Sequence, residues 1–551
     1  MVSRLKMAGL LSLVGLTLAT SVHVAAKPCS PTSFSFPQVG DLTHHSTTAK
    51  HFTNFTQNSG WKPEAALVPP EGVTTCNVTI SYTRPNSHSV VTVHIWLPLQ
   101  DAYNARFLGI GGGGWLAGEI GDDVMAGYTA SGYAVAATDG GYEHNPYGTA
   151  DSWLFKDGKP NLEALENFAH RGLHEMTLIG KHVAAEYYGK KPDFAYWSGC
   201  STGGRQGLAM AQRFPGAYDG ILVGCPAVSF PALLMGMFWP QVVMNEMGVY
   251  PSACEMEAIQ KAAIEACDGK DGVKDGVIAR DDLCAFEPRV VLGREIECEG
   301  VKGKVSEGAV VVAEALLGGP VDEEGRSLFP GSTAGTAATG LMALGNTVCE
   351  GARCRGRPFT IATDWIRLLA KKDAGYDPAS MTRREFARLF RETVKEFGDM
   401  IGSDDPDLRR FREAGGKMIA WHSINDEAIT INAMRRYYGK VLEDDGGREE
   451  RVETERYFRF FEVPGTTHCA APRGAGFPLR ALDALRRWVE EGVAPETLNP
   501  VVMGLAEGEV AEGKTPFCRF PLVTKTVESG WTCVERQKTG MTEEERVKDE
   551  L

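Results

Sequence analysis

Beyond residue 26 the sequence lacks any run of 18 or more apolar residues, so no membrane-spanning helix is expected in the mature chain. It also has no surplus of basic residues: 57 Lys and Arg stand against 71 Asp and Glu, giving a net charge of −14. That balance argues against nucleic acid or an anionic membrane as a partner. No internal repeat is visible, so a repeat architecture is not expected.

The one long apolar stretch lies within residues 1–26. Two basic residues precede it and small residues end it, a pattern typical of a removable secretory signal peptide. Thirteen cysteines in such a chain predict disulfides, and the odd number leaves at least one thiol. We predict that Cys225, in an apolar strand, is that thiol. Asn54 and Asn77 begin glycosylation sequons, which fits a secretory route.

The sequence ends in KDEL at residues 548–551, the retrieval signal for the endoplasmic reticulum. A chain with a signal peptide and this ending could bind the KDEL receptor and stay in the lumen, or be exported. The charged tail 536–551 is expected to be solvated and to lie outside the folded domains.

Residues 199–203 read GCSTG, which fits the G-x-S-x-G nucleophile elbow. An apolar strand is predicted at 194–197 and a helix at 204–213, the strand–turn–helix context that the motif needs. Flanking glycines leave room for the strained turn. We therefore predict that Ser201 is a nucleophile; a serine in an ordinary glycine-rich turn is the alternative.

The expected order along the chain is serine, acid, then histidine. Asp426 follows a predicted strand at 417–422, and His468 follows another at 457–463. Asp426 is the predicted acid, although aspartate is also common in turns and helix caps. Glu427 is a rival acid. His422 is interpreted as a packed or hydrogen-bonded histidine at a strand end.

A cysteine stands beside each predicted reactive residue. Cys200 precedes Ser201, and Cys469 follows His468. Since a nucleophile and its base must approach to about 3 Å, the cysteines would come close too. A disulfide needs Cα atoms roughly 5.5–6 Å apart, so a Cys200–Cys469 bond is predicted to clamp base to nucleophile.

Two backbone N–H groups should stabilise the oxyanion of the intermediate. One is predicted at Thr202, directly after the nucleophile. The other should come from the run of four glycines at 111–114, which follows an apolar strand at 106–110. Gly113 is our choice within that run. A flexible linker is the alternative interpretation of these glycines.

The sequences YWSGCSTGGRQG (196–207) and WHSIND (421–426), with the paired Cys-Ser and His-Cys, resemble the fungal tannase and feruloyl esterase family. The resemblance extends from about Cys29 to Cys533. It implies an α/β-hydrolase core, a large inserted lid, the cysteine clamp and secreted hydrolysis of aromatic carboxylic esters. By motif, it implies a triad of Ser201, Asp426 and His468. The acid loop departs locally, since HGLAD is more usual than HSIND, but its aspartate is retained.

The resemblance also implies a set of disulfides: Cys29–Cys76, Cys200–Cys469, Cys267–Cys284 and Cys518–Cys533. Cys349 and Cys354 could close a small local loop. The sequence leaves Cys254 and Cys298 unplaced.

Residues 267–277 (CDGKDGVKDGV) are dense in carboxylates and glycines. Calcium prefers six to eight oxygens in a tightly turning loop. The predicted ligands are the side chains of Asp268, Asp271 and Asp275 and the carbonyls of Val273 and Val277. The spacing is not that of an EF-hand, and a solvated acidic hairpin is the alternative. The resemblance implies a structural calcium loop in the lid, and no organic cofactor is expected.

The fold predicted is α/β, with an α/β-hydrolase core and a mainly parallel sheet. Apolar strands at 90–97, 107–110, 133–138 and 220–224 alternate with helical segments, as such a sheet requires. The core is predicted at 27–227 and 408–535, and the lid at 228–407. Apolar residues near the start of the lid either line a substrate pocket or pack on the core: Phe230, Leu233, Leu234, Met235, Met237, Phe238 and Trp239.

The sequence is consistent with three functions. The first is a secreted esterase for hydroxycinnamoyl or galloyl esters, either small or linked to polysaccharide. The second is a lumenal esterase or thioesterase of unknown substrate, suggested by the KDEL ending. The third is a non-catalytic calcium-binding lumenal protein on the same fold, against which the intact triad argues. Oligomeric state cannot be predicted from the sequence.

Overall fold

A computed structural model describes residues 26–56, 71–87, 89–142, 145, 148–298, 300–351, 353–447, 451–472, 475–503, 510–527 and 530–536. Residues 1–25 of the predicted signal peptide and the KDEL ending lie outside these ranges. Within them, no helix combines the length and apolarity that crossing a membrane requires.

One nine-stranded sheet organises the chain, in the spatial order β1-β2-β3-β5-β4-β6-β7-β8-β9. The pairings β1–β2, β2–β3 and β3–β5 are antiparallel. The six strands β5, β4, β6, β7, β8 and β9 form a parallel set. The strands are β1 Thr43–Phe55, β2 Val73–Thr83, β3 Val91–Pro98, β4 Arg106–Ile110, β5 Ala134–Thr138, β6 Phe194–Cys200, β7 Gly220–Gly224, β8 Lys417–Ser423 and β9 Phe458–Val463.

Helices cover both faces of the sheet and build the insert. The longer ones are α1 Asp122–Ala130, α2 Arg171–Tyr188, α3 Thr202–Arg213, α4 Phe230–Met247, α5 Ala253–Cys267, α6 Glu307–Gly318, α7 Arg383–Ile401, α8 Ile431–Asp444 and α9 Ala481–Glu491. Shorter helices span Asp151–Leu154, Leu162–Ala169, Thr360–Asp364, Arg409–Glu413 and Arg451–Glu455, and a π-helical turn spans Trp365–Ala370.

Among the described residues, five short antiparallel strand pairs lie outside the nine-stranded sheet. They are Phe155–Lys156 with Lys159–Pro160, Glu295–Cys298 with Val301–Lys304, Thr347–Glu350 with Arg353–Gly356, Thr497–Leu498 with Phe517–Cys518, and Leu522–Val527 with Gly530–Glu535. Gly476–Phe477, Val501–Met503 and Val510–Glu512 form a three-stranded sheet.

The side chains of the strands divide between two cores because alternate residues face opposite sides of a sheet. In β8, Met418 and Ala420 pack in the larger core, while Ile419 and Trp421 pack in the other. Strands buried on both faces, with helices covering each, are the expected architecture of a parallel sheet. The predicted α/β-hydrolase fold is confirmed.

The insert leaves the sheet after β7 and returns at β8, so it spans the region in which the lid was predicted. Local signals set its helices: Ser252 and Glu255 form a reciprocal capping box at the start of α5. Helix α4 is buried along most of its length and packs on α7 and α6. An ion-pair cluster joins the insert to the core, with Asp281 bonded to Arg435 at 2.7 Å and to Arg536 at 2.6 Å.

Six disulfides link the described residues: Cys29–Cys76, Cys200–Cys469, Cys254–Cys298, Cys267–Cys284, Cys349–Cys354 and Cys518–Cys533. Cys225 is free and buried, as the sequence predicted. The pair that the sequence could not place, Cys254–Cys298, ties α5 to a hairpin of the insert.

Candidate active site

Ser201 occupies a sharp turn between β6 and α3. Its backbone is strained, with φ of 61° and ψ of −123°, a conformation that lifts the side chain out of the turn. The close packing requires glycine on both sides. A Cβ at Gly199 would lie 2.6 Å from the Gly203 backbone, and one at Gly203 would lie 2.8 Å from the Gly112 carbonyl oxygen.

The three predicted triad residues meet at this turn. His468 Nε2 lies 2.9 Å from Ser201 Oγ, and His468 Nδ1 lies 2.8 Å from Asp426 Oδ2. The other carboxylate oxygen of Asp426 accepts the N–H groups of Ala428 at 3.0 Å and Ile429 at 2.8 Å. With Nδ1–H donating to the carboxylate, Nε2 can accept the serine proton, which is the arrangement of a serine hydrolase.

Burial and charge oppose each other in the His468–Asp426 pair. Burial alone would raise the pKa of Asp426, but the charge and hydrogen bond of His468, together with smaller contributions such as the Ile429 N–H, outweigh it and lower the pKa. Burial alone would lower the pKa of His468, but the charge and hydrogen bond of Asp426, together with the neighbouring Cys225, outweigh it and raise the pKa above its ordinary value. The aspartate therefore stays ionised and makes the imidazole a stronger base, which favours transfer of the serine proton to Nε2.

The predicted clamp is present beside the triad. Cys200 and Cys469 form a disulfide with a Cα–Cα distance of 6.1 Å across 269 residues of sequence. Cys469 Sγ lies 3.7 Å from His468 Nε2. Cys469 has a φ of 53°, so both the nucleophile and the clamp occupy left-handed backbone that residues other than glycine rarely adopt.

The two rival residues take supporting places. Glu427 Oε2 accepts the backbone N–H of His468 at 3.0 Å, so it braces the loop and not the imidazole ring. His422 is fully buried, and its Nδ1 lies 3.0 Å from the Ser423 carbonyl oxygen. Burial lowers the pKa of His422 to about 4, so this histidine is neutral and structural.

The glycine run lies against the nucleophile turn. Gly111 N–H donates to the Ser198 carbonyl at 3.0 Å, and Gly112 N–H donates to Gln206 Oε1 at 2.9 Å. These two donors already have acceptors, which favours the predicted Gly113 over Gly111 and Gly112 as the second oxyanion donor. The N–H of Thr202 lies in the first turn of α3, where helix N–H groups lack intrahelical acceptors. Both oxyanion assignments remain predictions.

Sequence reasoning missed Gln206, although it lies within the quoted motif, and missed the Thr202 hydroxyl. Thr202 Oγ1 donates to the Gly114 carbonyl at 2.8 Å. No sequence signal distinguishes a glutamine that anchors a loop from one that faces solvent. Only its spacing of four residues from Thr202, which puts both side chains on one face of α3, could have drawn attention to it.

A cavity of about 660 Å³ opens over the triad. The core contributes apolar side chains to one wall: Ile110, Val124, Leu222, Trp421, Phe477, Leu479 and Leu482. The insert contributes Phe230, Leu233, Leu234, Met237, Leu341, Met342, Phe359 and Ile361. Glu119, Tyr128 and Glu427 add polar groups. Of the predicted apolar cluster, Met235, Phe238 and Trp239 pack in the core instead.

The acidic loop at 267–277 is folded around its own carboxylates. Asp268 accepts the N–H groups of Asp275 and Gly276, both at 3.1 Å. Asp271 accepts Val273 N–H at 2.9 Å, and Asp275 accepts Val277 N–H at 3.1 Å. The Cys267–Cys284 disulfide closes the loop. Three carboxylates and several carbonyls in one short, glycine-rich loop are a donor set that fits calcium.

This chain is similar in sequence to proteins of one known family. A family model described as tannase and feruloyl esterase matches residues 76–536. The chain is 37% identical over 465 residues to a probable feruloyl esterase from Arthroderma benhamiae, covering 84% of this chain and 85% of the relative. It is 30% identical over 483 residues to feruloyl esterase C from Talaromyces stipitatus, covering 83% and 85%.

Similarity extends to solved structures. The tannin acyl hydrolase from Aspergillus niger superposes with a TM-score of 0.84 at 28% identity, covering 93% of this chain and 96% of that chain. The likeness therefore includes both the sheet and the insert.

Proposed function

Because this chain belongs to the tannase and feruloyl esterase family, we propose that it hydrolyses carboxylic esters of phenolic acids through a serine acyl-enzyme. The observation that carries the proposal is the continuous relay of hydrogen bonds from Asp426 through His468 to Ser201 at the floor of an apolar cavity. A non-catalytic function has no use for this arrangement.

In the first half-reaction, Ser201 Oγ attacks the ester carbonyl carbon while His468 Nε2 accepts the hydroxyl proton. The ionised Asp426 holds the imidazole and stabilises its positive charge. The oxyanion lies between the N–H groups of Thr202 and Gly113. When the intermediate collapses, His468 returns the proton to the leaving alcohol and the acyl group remains on Ser201.

In the second half-reaction, water replaces the alcohol. His468 Nε2 takes a proton from the water, whose oxygen attacks the acyl carbon. A second tetrahedral intermediate forms over the same oxyanion donors. Its collapse returns the proton to Ser201 Oγ and releases the phenolic acid.

The composition of the cavity wall favours hydroxycinnamoyl over galloyl esters. A galloyl ring brings three hydroxyl groups, and each one buried without a partner costs roughly 1–3 kcal/mol. A feruloyl group brings one hydroxyl group, a methoxy group and an apolar spacer, which suit walls built largely from aliphatic and aromatic side chains. The names of the two relatives given above agree with this preference.

The experiment compares kcat/KM for methyl ferulate and methyl gallate on the purified protein. Faster turnover of methyl ferulate is expected. Faster turnover of methyl gallate would move the protein to the tannase branch, which its likeness to the tannin acyl hydrolase makes the second candidate.

We also propose that the acidic loop holds a structural Ca²⁺ through Asp268, Asp271, Asp275 and the carbonyls of Val273 and Val277. When bound, the ion would cross-link the loop and relieve repulsion between its carboxylates. A ligand that binds only the native state raises stability. Dialysis against a chelator should therefore lower Tm, and added Ca²⁺ should restore it; a transition unchanged by either treatment would contradict the site.

We propose that the protein travels the secretory pathway, which its six disulfides support. Export and KDEL-dependent retention can be separated by expressing the full chain and a variant without its last four residues. We expect export of both. Retention of the full chain alone would establish the KDEL receptor as a partner and favour a lumenal substrate.

A further inference from the structure

Gln206 lies on α3, five residues after the nucleophile, and is fully buried. The catalytic relay does not use it. Its amide oxygen nevertheless contacts the backbone of the glycine run that faces Ser201, and its amide nitrogen contacts backbone carbonyls outside that run.

Each polar atom of the Gln206 amide has a complementary partner. Oε1 accepts Gly112 N–H at 2.9 Å, while Nε2 donates to the carbonyls of Ala117 at 3.0 Å and Phe168 at 3.2 Å. A flipped amide would oppose N–H to N–H and carbonyl to carbonyl. The surroundings therefore fix one orientation of the side chain, and in that orientation its amide oxygen binds the glycine run from the α3 side.

A second tie lies two residues further along the same run. The hydroxyl of Thr202 donates to the Gly114 carbonyl at 2.8 Å. The predicted oxyanion donor, Gly113, thus lies between two residues that α3 holds directly, Gly112 and Gly114. The glycine run and α3 are packed closely, because a Cβ at Gly111 would lie 2.5 Å from the Cα of Gly203.

We propose that Gln206 is a positioning residue of the oxyanion hole. Through Gly112 it fixes the N–H of Gly113 relative to the N–H of Thr202, so that both donors point at one oxyanion position before substrate arrives. The inference rests on the proposed ester hydrolysis and adds to it how the oxyanion hole is held in place. Preorganisation of this kind matters because donors already in place need no rearrangement as charge develops.

The test substitutes Gln206→Met, which keeps the length of the side chain and removes both hydrogen-bonding functions. Loss of an oxyanion donor costs about 10²–10³-fold in kcat, and misplacement by 1 Å about 10²-fold. We expect kcat to fall about 10–100-fold with KM little changed, measured on 4-nitrophenyl acetate, whose small acyl group does not test the phenolic preference.

Gln241→Met is the matched control. Gln241 is also buried, and its Nε2 donates to two carbonyls, of Leu344 at 2.9 Å and Asn346 at 3.2 Å, within the insert. Both substitutions should lower Tm, but only Gln206→Met should lower kcat. Equal kcat values in the two variants would overturn the proposal.

A second readout needs no turnover, so failure of this inference can be told from failure of the proposed function. An aryl boronic acid forms a tetrahedral anionic adduct with a reactive serine, whereas ferulic acid binds as a product. The Kd of the boronic acid should rise about 10–100-fold in Gln206→Met, in parallel with the loss of kcat. The Kd of ferulic acid should not change. A boronic acid that binds both proteins equally would contradict the assignment, even if wild type hydrolyses no phenolic ester.

If Gln206→Met does not fold, Gln206→Glu decides. A protonated glutamic acid can accept from Gly112 and donate to one carbonyl, but a carboxylate faces two carbonyl oxygens. Relative to wild type, kcat should therefore fall as pH rises. A ratio of kcat values that stays constant with pH would overturn the proposal.

Discussion

The two walls of the cavity are built in different ways. On the core side, each polar atom of the triad has a short hydrogen bond, the histidine side chain is 5% exposed, and a disulfide holds the loop. On the insert side, the cavity is lined mainly by aliphatic and aromatic side chains. The comparison teaches that changes to the core wall should lower kcat, whereas changes to the insert wall should alter KM and the choice of ester.

Among changes to the core wall, Asp426→Asn is expected to have the largest effect. We expect kcat to fall about 10⁴-fold, as in other Ser-His-Asp hydrolases, because the amide favours the wrong imidazole tautomer. Since the Asp426 carboxylate raises the pKa of His468, its removal lowers that pKa. Catalysis needs the neutral imidazole, so the acid limb of the kcat profile should move to lower pH.

The control for this prediction is Glu427→Gln, since Glu427 accepts the backbone N–H of His468 and does not bond to the ring. Its loss of kcat should be far smaller. An acid limb that stays in place in Asp426→Asn would contradict the assigned pair.

The next effect concerns the clamp. Replacing Cys200 and Cys469 together by alanine should reduce kcat by about 10–100-fold, because a displacement of 1 Å between His468 and Ser201 costs about 10²-fold. Stability should fall by about 2–5 kcal/mol, as is typical for loss of a native disulfide. Activity assays and thermal denaturation measure both.

Cys349 and Cys354 form the matched pair for comparison. They close only five residues within the insert, so their double alanine variant should keep kcat and lose less stability. If peptide mapping finds Cys200 and Cys469 as free thiols in the oxidised protein, the assignment of a disulfide clamp is wrong.

The smallest effect is expected on the insert wall, at Leu341. This side chain is 89% exposed yet lines the cavity, so its truncation should not disturb folding. Because so exposed a side chain is expected to bury only about one methylene against the substrate, worth about 0.8 kcal/mol, Leu341→Ala should raise KM for methyl ferulate by about fourfold and leave kcat unchanged. Val290→Ala, at a residue 70% exposed and not among those lining the cavity, should change neither. A fall in kcat at Leu341 would break the division between the walls.

The core wall was largely predictable because its chemistry is local. A strained serine turn requires small neighbours, and Gly199 and Gly203 indicate such a turn within a segment of five residues. Asp426 and His468 follow from the order of strands, since carboxyl ends of parallel strands meet at one edge of the sheet. The free thiol of Cys225 could be predicted because the chain has an odd number of cysteines and Cys225 lies in an apolar segment.

The remainder depends on contacts between distant segments. Gln206 meets Gly112 across 94 residues, and no local pattern marks such a pair. Cys254 and Cys298 could not be paired because their distance depends on how a hairpin packs on α5. The composition of the insert wall likewise depends on which face of helix α4 turns toward the triad. Apolar residues lie on all sides of this helix, so no broad polar face orients it.

The central claim is that Ser201 carries the acyl group. The most direct test reacts the purified protein with 4-nitrophenyl ferulate, quenches it in acid within the first turnovers and maps the peptides by mass spectrometry, alongside Ser201→Ala. The account predicts a feruloyl adduct on the peptide that contains Ser201, and neither adduct nor turnover in the folded Ser201→Ala variant. An adduct on another residue, or turnover that survives in Ser201→Ala, would contradict it.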